Sequence, residues 1–180
     1  NITLYVNSLG DNQSRNNYRK VLVSYLKKFE KDLSNESKIR LNNNPLRILD
    51  SKNKTDQSIL ENSPKYFDFL NNESRSYFEN VCNSLTKLGI PFKKDEKLVR
   101  GLDYYSHTTF EFKTGLLGAQ DTVVAGGRYD DLSKMISDYN LPGVGWAAGI
   151  ERLALMTEYK YVDLFCGLGK TIFFDKATSL

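Results

Sequence analysis

The chain has 180 residues and a formal net charge of +3, with 40% hydrophobic, 12% aromatic and 26% charged residues and a mean hydropathy of -0.48, a mixture that excludes an extended disordered chain and has room for one full domain and part of another. No apolar run approaches the roughly 18 residues that cross a bilayer, and no basic stretch followed by an apolar segment at the start points to export. Two distant cysteines, Cys82 and Cys166, and a single histidine exclude a disulfide framework and a zinc site, so a reducing cytoplasm is expected.

In chain order, Ile2, Leu4 and Val6 alternate as in a strand that ends at Ser8-Leu9-Gly10. Tyr18, Val21, Leu22, Tyr25, Leu26, Phe29 and Leu33 then recur at helical spacing, with Ser14 as the expected N-cap. Asn42 to Asn53 reads as loop, broken at Pro45. Two shorter amphipathic helices are predicted over Gln57–Leu70 and Glu73–Leu88, the second closed by Gly89 with Pro91 beyond it. After Lys97 the period changes to two: Thr108, Phe110 and Phe112 mark one strand and Thr122–Ala125 another, with Gly126-Gly127 expected to break it. Tyr129 to Ile136 is predicted as a short helix, Pro142 to Gly149 as a glycine-rich loop, and Ile150 to Tyr159 as a helix.

Composition divides the chain in the same place. Gly10 is the single glycine before Gly89, whereas all but one of the asparagines lie at or before Asn83. Residues 1–95 carry 16 Lys and Arg against 11 Asp and Glu. A mildly basic, helical first half can face an anionic partner such as RNA, with Lys27, Lys28, Lys38 and Arg40 on phosphate, or can be a solvated surface. The expected organisation is a strand in 1–10, a helical unit in 11–95, a glycine-rich unit in 96–158 and an unassigned tail in 159–180. Because the first residue is Asn1 and not Met, the chain is expected to be an internal segment of a longer product.

The second half sets three arginines beside glycines: Arg100-Gly101, Gly126-Gly127-Arg128, and Arg152 after Gly143, Gly145 and Gly149. Glycine admits a ligand close to the backbone and guanidinium grips carboxylate or phosphate through a planar fork, so an anionic substrate is one reading and ordinary turns the other. Tyr104, Tyr105 and Tyr129 add flat faces with hydroxyls, and Asp103, Glu111, Asp130 and Glu151 add acceptors for an ammonium or imidazole; core packing is the alternative for the tyrosines. His107 has no orienting partner in the sequence and reads as a strand-surface residue. Gly167-Leu168-Gly169-Lys170-Thr171 is not a P-loop, because Leu164 stands where the first glycine is required.

Three blocks in order carry a family resemblance: Leu98-Val99-Arg100-Gly101-Leu102-Asp103-Tyr104-Tyr105, Ala125-Gly126-Gly127-Arg128-Tyr129-Asp130, and Gly143-Val144-Gly145-Trp146-Ala147-Ala148-Gly149-Ile150-Glu151-Arg152-Leu153. They closely resemble the histidine-specific motifs and the glycine-rich motif 3 of bacterial-type histidyl-tRNA synthetases, class II enzymes. Tyr18-Arg19 and Asn44-Pro45-Leu46-Arg47-Ile48-Leu49-Asp50 are similar to the family's helical insertion domain, and the likeness spans about Ile2 to Met156.

The resemblance implies an α+β fold, a partial class II antiparallel sheet with flanking helices plus a mostly helical insertion domain. It implies histidine, ATP with Mg2+, and tRNA(His) as ligands, and a cytoplasmic homodimer as the parent protein. By position, Arg100 is the catalytic arginine between the histidine carboxylate and the α-phosphate. Tyr104, Tyr105, Gly127 and Tyr129 line the histidine side, while Gly145, Gly149 and Arg152 serve ATP. Motifs 1 and 2 of the family do not occur in the chain, which is therefore expected to be inactive by itself, with Arg100, Arg128 and Arg152 forming one wall of a pocket. Two rivals stay open: a regulatory paralogue that binds histidine without aminoacylating, and a stand-alone RNA-binding helical module.

Overall fold

The computed structural model describes residues 2–102, 104–118 and 121–156, together with the backbone of two later strands, Asp163–Cys166 and Lys170–Phe173. Asp103 and the end of the predicted Ile150–Tyr159 helix beyond Met156 lie outside the described residues, as does most of the tail.

Strand β1 (Ile2–Ser8) enters first. Helices α1 (Asn12–Lys27), α2 (Asn35–Asn43), α3 (Lys54–Glu61) and α4 (Asn72–Lys87) follow, with short 3-10 turns at Pro45–Ile48 and Tyr66–Phe69. The second half runs β2 (Phe92–Lys94), β3 (Ser106–Thr114), β4 (Thr122–Tyr129), α5 (Leu132–Ile136), β5 (Gly143–Ala148) and α6 (Ile150–Leu155). The late strands β6 (Asp163–Cys166) and β7 (Lys170–Phe173) pair antiparallel with each other.

The main sheet has the order β2-β1-β3-β4-β5 and is antiparallel except where β1 meets β2. A parallel neighbour needs a crossover connection, and here the whole helical segment supplies it. Strand β2 lies inside the stretch 11–95 and still belongs to the sheet, pairing Leu4 with Phe92. Its three residues are too few to show a period, so the sequence left it unmarked.

Asparagine and serine enrichment in the first half has a local cause. Asp11, Ser34, Asn53 and Asn71 cap the four helices, each side chain accepting a backbone N–H of the first turn. Such a cap is worth about 1 kcal/mol. The α1 cap is Asp11 and not Ser14; the Asp11 carboxylate accepts from the Ser14 N–H at 2.8 Å. Asp is a strong cap in its own right, and Ser14, already inside the helix, is buried. Gly89 closes α4 at φ +68°, with Ile90 N–H bonded to Leu85 O and Gly89 N–H to Thr86 O, the two bonds of a Schellman turn that glycine makes cheaply.

The helical expectations need two further corrections. The apolar spacing through Leu33 is continuous, but α1 stops at Lys27 and Phe29 and Leu33 sit in the turns that follow. The predicted Gln57–Leu70 helix is α3 plus a separate 3-10 turn, because Pro64 lacks the N–H that a continuous helix needs. Between them, the buried Asp56 carboxylate gathers Ser34 N–H at 2.9 Å and the hydroxyls of Ser34, Ser37 and Ser51 at 2.7 Å each. This knot ties α2 to α3, and no hydrophobic pattern announced it.

Two cores hold the layers. Tyr18, Leu22 and Leu26 of α1 pack with Leu41, Ile48, Leu49, Leu60, Tyr66 and Val99. Phe78 and Cys82 of α4 pack on Leu4 and Val6, with Phe110 and Phe112 alongside. The sheet thus has α4 on one face, and Val99 and Tyr105 on the other.

Gly126-Gly127 does not break β4, and Pro142–Gly149 is not wholly loop: β4 continues to Tyr129, and β5 pairs with it from Val124↔Ala148 to Tyr129↔Gly143. Here the glycines serve close packing. A Cβ on Gly127 would stand 2.7 Å from Thr108 O and 3.0 Å from the Tyr105 ring, so the strand is glycine because an aromatic ring lies on it.

Candidate functional site

Facing residues of paired strands share a sheet side, so Asn7, Thr109 and Gly127 lie on one side with Tyr5, Glu111 and Ala125, and with Tyr129 opposite Gly143. This is the side opposite α4. The segment Asp95–Val99 reaches it because Asp95 N–H bonds Val6 O at 3.0 Å, and because the buried Asn7 amide donates to Leu98 O at 3.0 Å and Glu96 O at 3.3 Å. With Leu98 and Val99 both buried, the next residue, Arg100, is delivered onto the sheet.

Arg100 is held by four hydrogen bonds. Its Nε donates to Thr109 Oγ1 at 2.9 Å, Nη1 to Glu111 Oε1 at 2.9 Å, and Nη2 to Phe110 O at 2.6 Å and Gly126 O at 3.4 Å. The guanidinium also stands 5.8 Å from the centre of the Tyr105 ring. Glu111 in turn accepts from Thr122 Oγ1 at 3.2 Å and pairs with Lys113 Nζ at 3.2 Å. Burial alone would lower the Lys113 ammonium, but the Glu111 carboxylate beside it keeps it charged and moves it above the ordinary lysine value. The Thr122 carbonyl accepts from Arg152 Nη1, so Arg100 and Arg152 meet the same end of β4 through Glu111 and Thr122.

Tyr105 belongs to a cluster of three tyrosines. Tyr104 and Tyr105 stack at 4.8 Å, and Tyr129 stands edge-on to both at 5.6 and 6.0 Å. Burial, then the neighbouring Tyr104, pushes the Tyr105 phenol upward, so it stays a neutral hydroxyl. Gly127 lies beneath Tyr105, and Gly143 and Gly145 lie beneath the Tyr129 ring and hydroxyl. A Cβ on Gly145 would meet the Tyr129 hydroxyl, so the Tyr129 side chain lies directly over this glycine. At Gly149 a Cβ would meet the stem of Arg152 at 3.2 Å.

Arg128 does not join the other two arginines. It lies on the α4 side, its Nε 2.8 Å from Asp130 Oδ1 and its guanidinium 4.6 Å from the Tyr77 ring centre. Strand alternation requires this, since Gly127 and Arg128 must face opposite ways. His107 is also not a strand-surface residue. It sits at φ +47° in a bulge of β3, its side chain is 11% exposed, and the Tyr77 ring lies tilted against it at 5.2 Å. The bulge carries no local sequence signal, because the Leu9-Gly10 backbone that pairs with His107 is remote in the chain.

The sequence motifs therefore converge on one sheet face, with Arg100, Glu111, Arg152, Tyr104, Tyr105 and Tyr129 in connected contacts, while Asn7 and Thr109 are supporting residues that motif reading missed. A fixed guanidinium beside flat phenol rings suits a small ligand that has both an anionic group and a planar ring.

The family model described as histidyl-tRNA synthetase matches residues 9–153. A histidine–tRNA ligase of Wolbachia pipientis is 52% identical over 159 residues, 88% of this chain and 39% of the relative. That of Rickettsia rickettsii is 53% identical over 158 residues, 87% of this chain and 38% of the relative. The crystal structure of apo S. aureus histidyl-tRNA synthetase superposes with a TM-score of 0.65 at 37% identity, over 86% of this chain and 37% of that one. The chain thus spans about two fifths of the length of its curated relatives. With the family model covering most of its length and the same α+β sheet in the solved relative, the chain belongs to the histidyl-tRNA synthetase family.

Proposed function

We propose that this chain supplies part of the catalytic site of a class II histidine–tRNA ligase. The histidine carboxylate attacks the ATP α-phosphorus, pyrophosphate leaves, and the resulting histidyl-adenylate passes its histidyl group to the 3′ end of tRNA(His). The observation that carries this reading is the seat of Arg100, fixed by four hydrogen bonds and set beside Tyr105 of the three-tyrosine cluster.

Charge builds on the α-phosphate oxygens during attack, and a cation already held in place stabilises it without reorganisation. Arg100 is such a cation, and the incoming carboxylate and phosphate would compete with Glu111 for its Nη1 edge. Tyr104, Tyr105 and Tyr129, over Gly127, would receive the imidazole ring. Arg152 would hold terminal phosphate, with Gly145 and Gly149 at the adenosine side once Tyr129 adjusts. Among the described residues no group of three or more His, Cys, Asp or Glu side chains forms a metal cage. Mg2+ binds largely through substrate phosphates, so it would enter with ATP and neutralise the polyphosphate. The homodimer and cytoplasmic setting belong to the same proposal; no described helix is long and apolar enough to cross a membrane.

A chimera tests the reading: residues 9–153 replace the matching region of the Rickettsia rickettsii relative. Charging of tRNA(His) with histidine supports it. A soluble, folded chimera that binds histidine but forms no adenylate would favour the non-aminoacylating alternative.

A further inference from the structure

Seven of the eight arginines have partners within the described residues. Arg40 meets Glu36 and Asp50, Arg47 meets Asp50, Arg100 meets Glu111 and Arg128 meets Asp130. Arg75 donates to Leu70 O and Asp68 O, and Arg152 to Thr122 O. Arg15 donates to the Tyr105 carbonyl and to Asn12 Oδ1. Arg19 has no hydrogen-bond or ion-pair partner among the described residues, and it is exposed.

Arg15 and Arg19 are four apart on α1 and so share a helix face. They line a cavity of about 220 Å³ between α1 and the end of α2, together with Asn16, Asn43, Asn44 and Leu46. Among the described residues no carboxylate lines it. That volume is room for roughly seven waters at about 30 Å³ each, enough for a phosphate group and part of its hydration. Arg19 supplies a fork of free donors, Arg15 adds its charge while its own fork is engaged by Tyr105 O and Asn12, and three asparagine amides add neutral donors. The surrounding stretch 1–95 carries 16 basic against 11 acidic residues, so the long-range field also favours an anion.

We infer that this cavity is a phosphate-binding site, with Arg19 as its free cation and Arg15 as the link to the tyrosine-lined site. Arg15 lines the cavity and bonds the Tyr105 main-chain carbonyl, so one side chain links the phosphate site to the proposed histidine pocket. The phosphate comes either from an RNA backbone or from a nucleotide. RNA is the favoured source, because a basic surface outside the pocket meets a polymer whose end must reach the pocket; this choice rests on the proposed function, whereas phosphate binding itself does not. Of the four cations singled out by sequence, Arg40 is paired with carboxylates and Lys38 Nζ donates to Lys31 O at 2.9 Å, so neither matches Arg19 in availability.

The test uses the 180-residue chain and a fluorescently labelled tRNA(His) transcript, with affinity read by anisotropy between about 50 and 200 mM salt. Arg19→Ala is expected to weaken binding about 5- to 10-fold at the low end and to reduce the salt slope by about one. Arg19→Lys should keep the slope while losing part of the affinity, which separates charge from fork geometry. Thermal melts of all three proteins verify the fold; Arg19 is exposed, so the melts should coincide. Addition of MgATP distinguishes the sources. RNA affinity unchanged by MgATP supports an RNA phosphate, whereas ATP binding that Arg19→Ala weakens as much as RNA binding assigns the cavity to the nucleotide. Absence of tRNA binding by the wild-type chain, or identical affinities and slopes for Arg19→Ala and wild type, overturns the site. Either of those results leaves the chimera's charging activity as a separate question.

Discussion

His107 Nε2 lies 3.7 Å from Asp130 Oδ2, while the other ring nitrogen, Nδ1, is buried without a hydrogen-bond partner among the described residues. Burial is the main reason the imidazolium is disfavoured, and the Arg128 cation adds to it; Asp130, Asp11 and Glu73 act in the opposite sense without reversing it. His107 therefore titrates below the ordinary histidine value in the folded chain. On acidification the unfolded chain takes up its proton first, so stability is full above about pH 6.5 and falls as the pH drops through the depressed folded value.

This histidine is the single one in the sequence, which makes the effect assignable. Urea midpoints measured from pH 7.5 to 5 should decline for the wild type and flatten for His107→Asn, since asparagine tolerates φ > 0 and does not titrate there. A wild-type midpoint that stays level across this window would exclude a depressed His107.

The Asp56 knot yields a second expectation. Burial by itself would raise this carboxyl, but the Ser34 N–H and the Ser37, Ser51 and Ser34 hydroxyls together hold it below the ordinary carboxylate value. Its stabilisation is present above about pH 3.8 and is lost as the pH falls through the lower folded value. Asp56→Asn should cost about 2 to 3 kcal/mol at pH 7 by urea denaturation, as hydrogen bonds to a charged acceptor are lost and donors conflict. A loss below about 0.5 kcal/mol would show that the serines find water instead.

Tyr105→Phe keeps the ring over Gly127 and removes the hydroxyl. In the chimera, loss of a hydrogen bond to a bound imidazole should raise the histidine KM by about 5- to 10-fold, with a smaller change in kcat. An unchanged histidine KM would place Tyr105 in packing alone.

Much of the site was legible because its chemistry is local in sequence. Arg100, Tyr104 and Tyr105 are near neighbours, and the register of β3, β4 and β5 then brings Gly127, Tyr129 and Gly145 beside them. What escaped depended on long-range geometry. Gly126-Gly127 reads as a strand break until Tyr105, from a distant loop, is seen to need the space. Arg128 reads with its glycine neighbours until strand alternation sends it toward Tyr77. Asn7, 89 to 91 positions from the carbonyls it fixes, carries no motif at all.

The seat of Arg100 is the centre of the functional reading, and single-turnover formation of histidyl-adenylate by the chimera reads it directly. Arg100→Ala should slow that step by at least about 10²-fold, the usual effect of removing a donor that stabilises charge in the transition state, while the thermal midpoint shifts only modestly because Glu111 retains Lys113 and Thr122. A folded Arg100→Ala chimera that forms adenylate within about twofold of the unsubstituted rate would contradict the assignment of Arg100 to the chemical step.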